Sequence, residues 1–364
     1  MNYRIIIVYV IILALIQACG GDRMNVGVFR ADQARSGLYT DEGQKPVKGD
    51  IDWKARLSPW LVSTPVVYGE MLFIGSAEKK LFALNVETGN MVWQFATEGA
   101  VATSPAVSDG KIYFGSADKH MYAVSAETGS KVWSFSDSSI INSSPNVVRG
   151  IVYFGTWKGN VYALDAKSGK VIWEYATKGR VTSSPSYKAS VIYIGSWDKN
   201  LYALAADSGK LKWKYQTGDK IGSTPAVGNG LVCFGSVDKH IYGLDEKSGK
   251  LLWKYETGGW VDSSPSMDKS AVYAASMDWH VYSLDFKGKL LWKTRTQGPM
   301  ISSSVVAGDR LYIGNQDEHL YAINKKSGEV LLKFKTGGIV NSSPVPYKDK
   351  LFIASYDGYL YALK

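Results

Sequence analysis

The stretch Thr103–Phe135, TSPAVSDGKIYFGSADKHMYAVSAETGSKVWSF, decides how the rest of the chain is read, because most of the chain beyond residue 50 is a variation on it. With Tyr113 as a marker, counterparts stand at Phe73, Tyr153, Tyr193, Cys233, Tyr273, Tyr312 and Phe352, a spacing of 40 that drops once to 39. The pair Gly115-Ser116 returns as Gly75-Ser76, Gly195-Ser196 and Gly235-Ser236. A turn glycine returns at Gly89, Gly129, Gly169, Gly209, Gly249, Gly288 and Gly328, with Trp four residues later in all but the last, where Leu332 stands. Such self-similarity fixes the architecture before any single residue is interpreted.

Each unit holds four short runs rich in Val, Ile, Tyr and Trp, broken by Gly, Asp and Ser, which is the signature of strands and hairpins. No sustained helical periodicity occurs after residue 50. Four antiparallel strands per unit of this length, repeated around an axis, make an all-β fold of β-propeller blades. Seven complete units precede an eighth with only three strands. Trp53 lies 40 residues before Trp93, so Ile51–Leu57 reads as the missing outer strand. The sequence therefore predicts an eight-bladed β-propeller over residues 50–364, its N-terminal strand completing the C-terminal blade and leaving no open sheet edge.

Residues 1–18 read as a signal peptide: Arg4, then an apolar run over Ile5–Ile16 that is short for a membrane span. Ala18-Cys19 closes it in the manner of a bacterial lipobox, which makes Cys19 the expected lipidation site. Gly20 after the cysteine resembles the signal that sorts lipoproteins to the outer membrane. Residues 19–49 are expected to be the lipidated N-terminus and a tether. Cys233 is the only other cysteine, so no disulfide framework is expected, and it is read as a small core residue.

The formal net charge of +9 is spread through the turns. No basic tract marks a nucleic-acid surface, and no nucleic-acid partner is expected.

Within the expected tether, Phe29-Arg30-Ala31-Asp32-Gln33-Ala34-Arg35-Ser36-Gly37 resembles the segment before the first blade of pyrroloquinoline-quinone-like (PQQ-like) repeat proteins. Leu201-Tyr202-Ala203-Leu204 and Ser168-Gly169-Lys170 with Trp173 resemble their repeats. The resemblance covers residues 26–364.

Where all units agree, a residue serves the blade; where one departs on an exposed turn, function becomes arguable. Trp53, Trp93, Trp133, Trp173, Trp213, Trp253 and Trp292 form a column and are core. The other five are Trp60, Trp157, Trp197, Trp260 and Trp279. They fall in blade-to-blade links or in turns between second and third strands, which lie on one face of the disc. Tyr356, Tyr359, Arg180, Lys220, Met277 and Met300 are placed with them. Half exposed, these Trp would present about 500 Å² of apolar surface, near the upper range for a monomer patch without a function. That face is the expected partner- or ligand-binding surface. In the competing arrangement, several of the Trp fold over the axial channel mouth.

His120, His240, His280 and His319 share one column, but it lies about two strand spacings of 4.8 Å outside the innermost strand. Adjacent blades there are too far apart for shared coordination, so no metal site is expected. Asp118, Asp198, Asp238, Asp278, Asp317 and Asp357 sit in tight turns and are read as turn-stabilising. Asp262 is different. Its column otherwise holds Val62, Ala102, Asn142, Thr182, Gly222, Ile301 and Asn341, and should open onto the channel.

Three functions fit these features. The first, expected here, is a non-catalytic scaffold anchored in the cell envelope on the periplasmic side of the outer membrane. It would bind protein partners and carry no cofactor, and is similar to the propeller lipoproteins of the outer-membrane β-barrel assembly machinery. The second is a quinoprotein dehydrogenase binding pyrroloquinoline quinone. The resemblance implies a vicinal Cys pair and a calcium-binding set for such enzymes, and this chain has no Cys-Cys and only Asp262 as an axial acid. The third is a glycan- or small-ligand-binding sensor whose Trp stack on sugar rings. Nothing indicates oligomerisation.

Overall fold

The computed structural model describes residues 26–27, 30–39 and 45–364; the leader and Cys19 lie outside the described residues. Every regular element among them is a strand. Eight blades surround an axis, their innermost strands beginning at Val66, Ala106, Asn146, Ser186, Ala226, Ser266, Val305 and Val345. Blade 2 runs from axis to rim as Ala106–Ser108, Lys111–Gly115, His120–Ser125 and Lys131–Ser136.

The two middle strands of each blade are packed on both sides by neighbouring blades, so they read as continuous apolar runs rather than alternating ones. Ile112-Tyr113-Phe114 and Met121-Tyr122-Ala123-Val124 are buried throughout. Only the outermost strand alternates. Its Trp crosses to the next blade: the Trp133 Nε1–H donates to the Ala166 carbonyl at 3.0 Å, and the ring lies over Gly169, where a β carbon would approach it to 2.8 Å. Gly169 also has φ +71°, so both its conformation and its contact call for glycine. The Trp and Gly columns are two halves of one joint between blades.

The eighth blade closes as expected. Ile51–Arg56 pairs antiparallel with Tyr359–Leu363, with Trp53 opposite Ala362 and Arg56 opposite Tyr359. Lys350 and Lys364 both bond the Asp52 carboxylate beside this seam, and those bonds hold its pKa below the ordinary carboxylate value.

The stretch expected to be a tether is built into the fold over its described part. Val26–Gly27 adds antiparallel to the innermost strand of blade 2, and Leu38–Tyr39 adds parallel to that of blade 7. Between them the chain crosses the axis. The Gln33, Ala34, Ser36 and Gly37 carbonyls accept from Tyr187, Val227, Met267 and Val306 N–H at 2.7–3.1 Å. Innermost strands have one edge facing the axis, and the segment uses those edges as partners. A sequence pattern without strand periodicity hid this, because each of its bonds goes to a different blade.

Candidate functional site

The links between blades carry an ordered set of residues toward the axis. The first, Leu61 and its counterparts Val101, Ile141, Val181, Ile221, Val261, Met300 and Val340, packs between blades and is buried. Met300 therefore belongs to the core and is not on the Trp-bearing face where the sequence reading put it. Ile301 beside it is exposed, and a single Met at an apolar column was misassigned by that proximity.

The next column is the one containing Asp262. All eight of its members line a cavity of about 540 Å³ that opens on the Trp-bearing face. Below it lies a hydroxyl in every blade: Thr64, Ser104, Ser144, Ser184, Thr224, Ser264, Ser303 and Ser343. These are linked around the axis. The Thr64 N–H donates to Ser104 Oγ, Ser104 to Ser144, Ser144 to Ser184, Ser184 to Thr224, Thr224 to Ser264, and Ser264 to Ser303, and the Ser343 N–H donates to Thr64 Oγ1 across the closure, all at 2.9–3.2 Å. In the sequence this column is only a Ser or Thr two residues before each innermost strand, with its links unseen.

One residue deeper the proline column turns its carbonyls to the axis, and here the N-terminal segment forms a plug. Arg35 Nη2 donates to the Pro145 carbonyl at 2.7 Å and its Nε to Pro185 at 3.3 Å. Arg30 Nη2 donates to the Pro265 and Ser304 carbonyls. Both guanidinium groups are buried. Loss of hydration lowers Arg35 to about 9 and Arg30 to about 10, so each is still a cation at neutral pH. Two buried cations held by carbonyl oxygens thus stand beneath the cavity, with Arg30 Nε and Nη1 left without a hydrogen-bond partner. The axial space is a pocket with one mouth.

Around that mouth the expected face residues divide. Arg180 lies between Trp157 and Trp197, 4.6 and 5.2 Å from their ring centres, and Lys220 lies 4.7 Å over Trp197. These are cation–π distances. The Trp197 Nε1–H also donates to Thr182 Oγ1 at 2.9 Å. Trp197, Lys220, Trp260 and Asp262 line the pocket. Trp60 and Trp260 are the most open, at 62% and 54% exposure. Tyr356 accepts from Asn341 Nδ2 at 3.0 Å beside the mouth. Trp279 stands farther out, with Arg295 at 5.8 Å. Tyr359 faces the outer strand, under Lys54 at 4.9 Å. Trp197 and Trp260 line the pocket without closing it, and Trp60, Trp157 and Trp279 are not among its lining residues.

Asp262 reaches solvent, yet it sits inside the pocket against the link of the preceding blade. A β carbon on Gly222 would lie 2.3 Å from its Oδ1. This enclosure raises its pKa above the usual carboxylate value. The other Asp column does structural work. Asp278 Oδ2 accepts from Tyr282 Oη at 2.5 Å and Gly258 N at 2.6 Å, and Oδ1 from His280 N at 3.0 Å. His280 Nδ1 is 2.9 Å from the Asp278 carbonyl, and His120, His240 and His319 repeat the arrangement.

Residues 141–364 match the family model described as the β-propeller of beta-alanine-activating enzyme. The chain belongs to this β-propeller family. Residues 44–184 of the propeller match the model described as outer membrane protein assembly factor BamB, in keeping with its PQQ-like repeats. Among curated proteins no sequence matches it. Solved structures share the fold. BamB from Moraxella catarrhalis superimposes with a TM-score of 0.77 at 20% identity, covering 86% of this chain and 99% of that one. Quinohemoprotein alcohol dehydrogenase from Comamonas testosteroni gives 0.82 at 16% identity, over 96% and 82%. A europium-containing methanol dehydrogenase gives 0.77 at 16% identity, over 91% and 89%. The fold is thus shared both with an assembly factor and with alcohol and methanol dehydrogenases.

That second likeness raises the fit of the pocket to pyrroloquinoline quinone and its calcium. Among the described residues no three of His, Cys, Asp or Glu converge. The acids at the pocket are Asp219 and Asp262, and the axis below is taken up by the hydroxyl ring and the plug. Cys233 is buried, and burial raises its thiol pKa far above the ordinary value. These residues do not fit that cofactor.

Proposed function

We propose that this propeller is a non-catalytic scaffold, exported and held by a lipid on Cys19 to the periplasmic side of the outer membrane, which docks envelope proteins on its Trp-bearing face. The observation that carries the reading is the ladder Trp157–Arg180–Trp197–Lys220, on the same face as the exposed rings of Trp260 and Trp60. It offers aromatic plates and fixed cations around a mouth, a composition suited to the core of a protein interface. An extended segment of a partner, laid over the rings, would meet stacking surfaces and the cationic edges together. The similarity to the BamB model supports placing those partners in outer-membrane assembly.

A photo-cross-linker at Trp60 in native membranes, with and without the Trp157→Ala/Trp197→Ala/Trp260→Ala substitutions, tests this. Defined cross-links to envelope proteins, lost in a triple variant that keeps its far-ultraviolet circular dichroism and melting temperature, are expected. Cross-links unchanged by the triple substitution remove the face from the account.

A further inference from the structure

The two faces of the disc are not equivalent with respect to the N-terminus. Val26 pairs with Ser108 and Gly27 with Val107, and Ser108 leads directly into the Asp109-Gly110 turn. The chain therefore arrives on the face carrying that turn, opposite the Trp-bearing face. Seven peptide steps separate Cys19 from Val26, about 25 Å at full extension. A direct way to the Trp-bearing face along the axis is filled by Arg35 and Arg30. The way around is too long: outward across three strand spacings and up a six-residue outer strand sums to more than about 30 Å.

The same face has a distinct rim. Outermost strands start there, and their second residues are exposed aliphatics: Ile172 at 45%, Leu252 at 56%, Leu291 at 52%. A lysine stands two residues before each, at Lys170, Lys250 and Lys289, in the turns that deliver the strands. An apolar line next to cations matches the interface of a bilayer with anionic headgroups.

We propose that the plug-bearing face lies on the membrane surface, with the rim of blades 3, 5 and 6 in the headgroup layer and the Trp-bearing face turned away from the bilayer. The proposal rests on the reading of Cys19 as the anchor. It adds which surface the anchor leaves free: a lipid at residue 19 presents the mouth to the periplasmic space.

The test uses the mature protein on vesicles of phosphatidylethanolamine and phosphatidylglycerol, anchored through its own lipid, with lipidation read separately by intact mass. In parallel, a hexahistidine tag replaces residue 19 on nickel-chelating vesicles. Variants with one added cysteine, Leu252→Cys or Lys220→Cys, with the native Cys233 shielded by burial, carry a dye quenched by headgroup-level nitroxide lipid. Several-fold stronger quenching at position 252 than at 220 is expected in both formats, falling when Lys170, Lys250 and Lys289 are changed to Glu. Equal quenching, or stronger quenching at 220, overturns the orientation. An unlipidated mass together with plug-face quenching on the tagged vesicles overturns the anchor alone.

Discussion

Ala275 packs in one cluster with Met300 of the following blade, at a position where six other blades place glycine against a β-branched residue. A β carbon at Gly115 would come within 2.5 Å of Ile141 Cγ2 and 2.8 Å of its carbonyl, and Gly75, Gly155, Gly195, Gly235 and Gly314 meet Val101, Val181, Ile221, Val261 and Val340 in the same way. The other alanine, Ala354, shares its cluster with Leu61. Glycine faces Val or Ile, and alanine faces Met or Leu, because a side chain unbranched at Cβ leaves room for one methyl.

Gly115→Ala should therefore destabilise the propeller by about 1–3 kcal/mol through overpacking. Adding Ile141→Met should recover part of that loss. A double-mutant cycle by urea denaturation measures the coupling, which is expected to be favourable; strict additivity of the two changes would show that the pairing is incidental.

The plug is expected to contribute to stability. Arg35→Met keeps much of the side-chain volume but leaves the Pro145 and Pro185 carbonyls without this donor. Each buried acceptor so stranded costs about 1–3 kcal/mol. A lowered melting temperature, with faster hydrogen exchange at the Tyr187 and Val227 amides that bond the same segment, checks it.

Asp262 gives a pH signature. Enclosure raises its folded pKa above the unfolded one, so the folded state binds the proton more tightly. Its charge opposes folding at neutral pH, and that penalty is relieved as pH falls through the raised value toward the ordinary one. Asp262→Asn should melt higher than wild type at pH 7, with the difference vanishing near pH 3. Gly222→Ala, which drives a methyl against the Asp262 carboxylate, should shift the titration of Asp262 as read by carboxylate NMR.

Alkali should act through the tyrosines. Tyr202, Tyr242, Tyr282 and Tyr361 donate to Asp198, Asp238, Asp278 and Asp357 at 2.5–2.7 Å. Burial first, and then the carboxylate, raise their phenols above the ordinary value of 10.0. Their contribution is complete below pH 10 and is lost as pH rises past it, because the unfolded phenols ionise first. The urea midpoint should hold from pH 8 to 10 and fall steeply above. Tyr282→Phe should cost about 1.5 kcal/mol at pH 7 and make that fall shallower.

The period of the marker residues carried the blade count, the strand order and the closing strand, since each is a property of one unit repeated. It also carried the Asp262 column and the common face of the stray Trp, because the turns alternate sides. Features formed between units were beyond it. The hydroxyl ring runs from blade to blade, so a Ser/Thr column looks like a local turn preference until the blades are set side by side. Arg30 and Arg35 fall in a segment without periodicity, and their partners lie 110 to 274 residues away. Met300 shows the converse error, where an exposed-looking link position is in fact the joint between blades. Tyr359 and Trp279 share the face but not the mouth, because radial distance is invisible in a turn register.

The closing strand and the plug are synthesised before any blade exists, yet their partners extend to Leu363. Until the final strand is delivered, Ile51–Arg56 and the eighth blade each expose an unpaired edge. During that interval a nascent disc resembles an unlatched bracelet, open to the first strand of another copy as readily as to its own. Contacts across more than 300 residues also form slowly. Correct maturation therefore depends on keeping emerging copies apart until the latch shuts, and crowding of nascent chains should yield swapped dimers before it yields unfolded monomers.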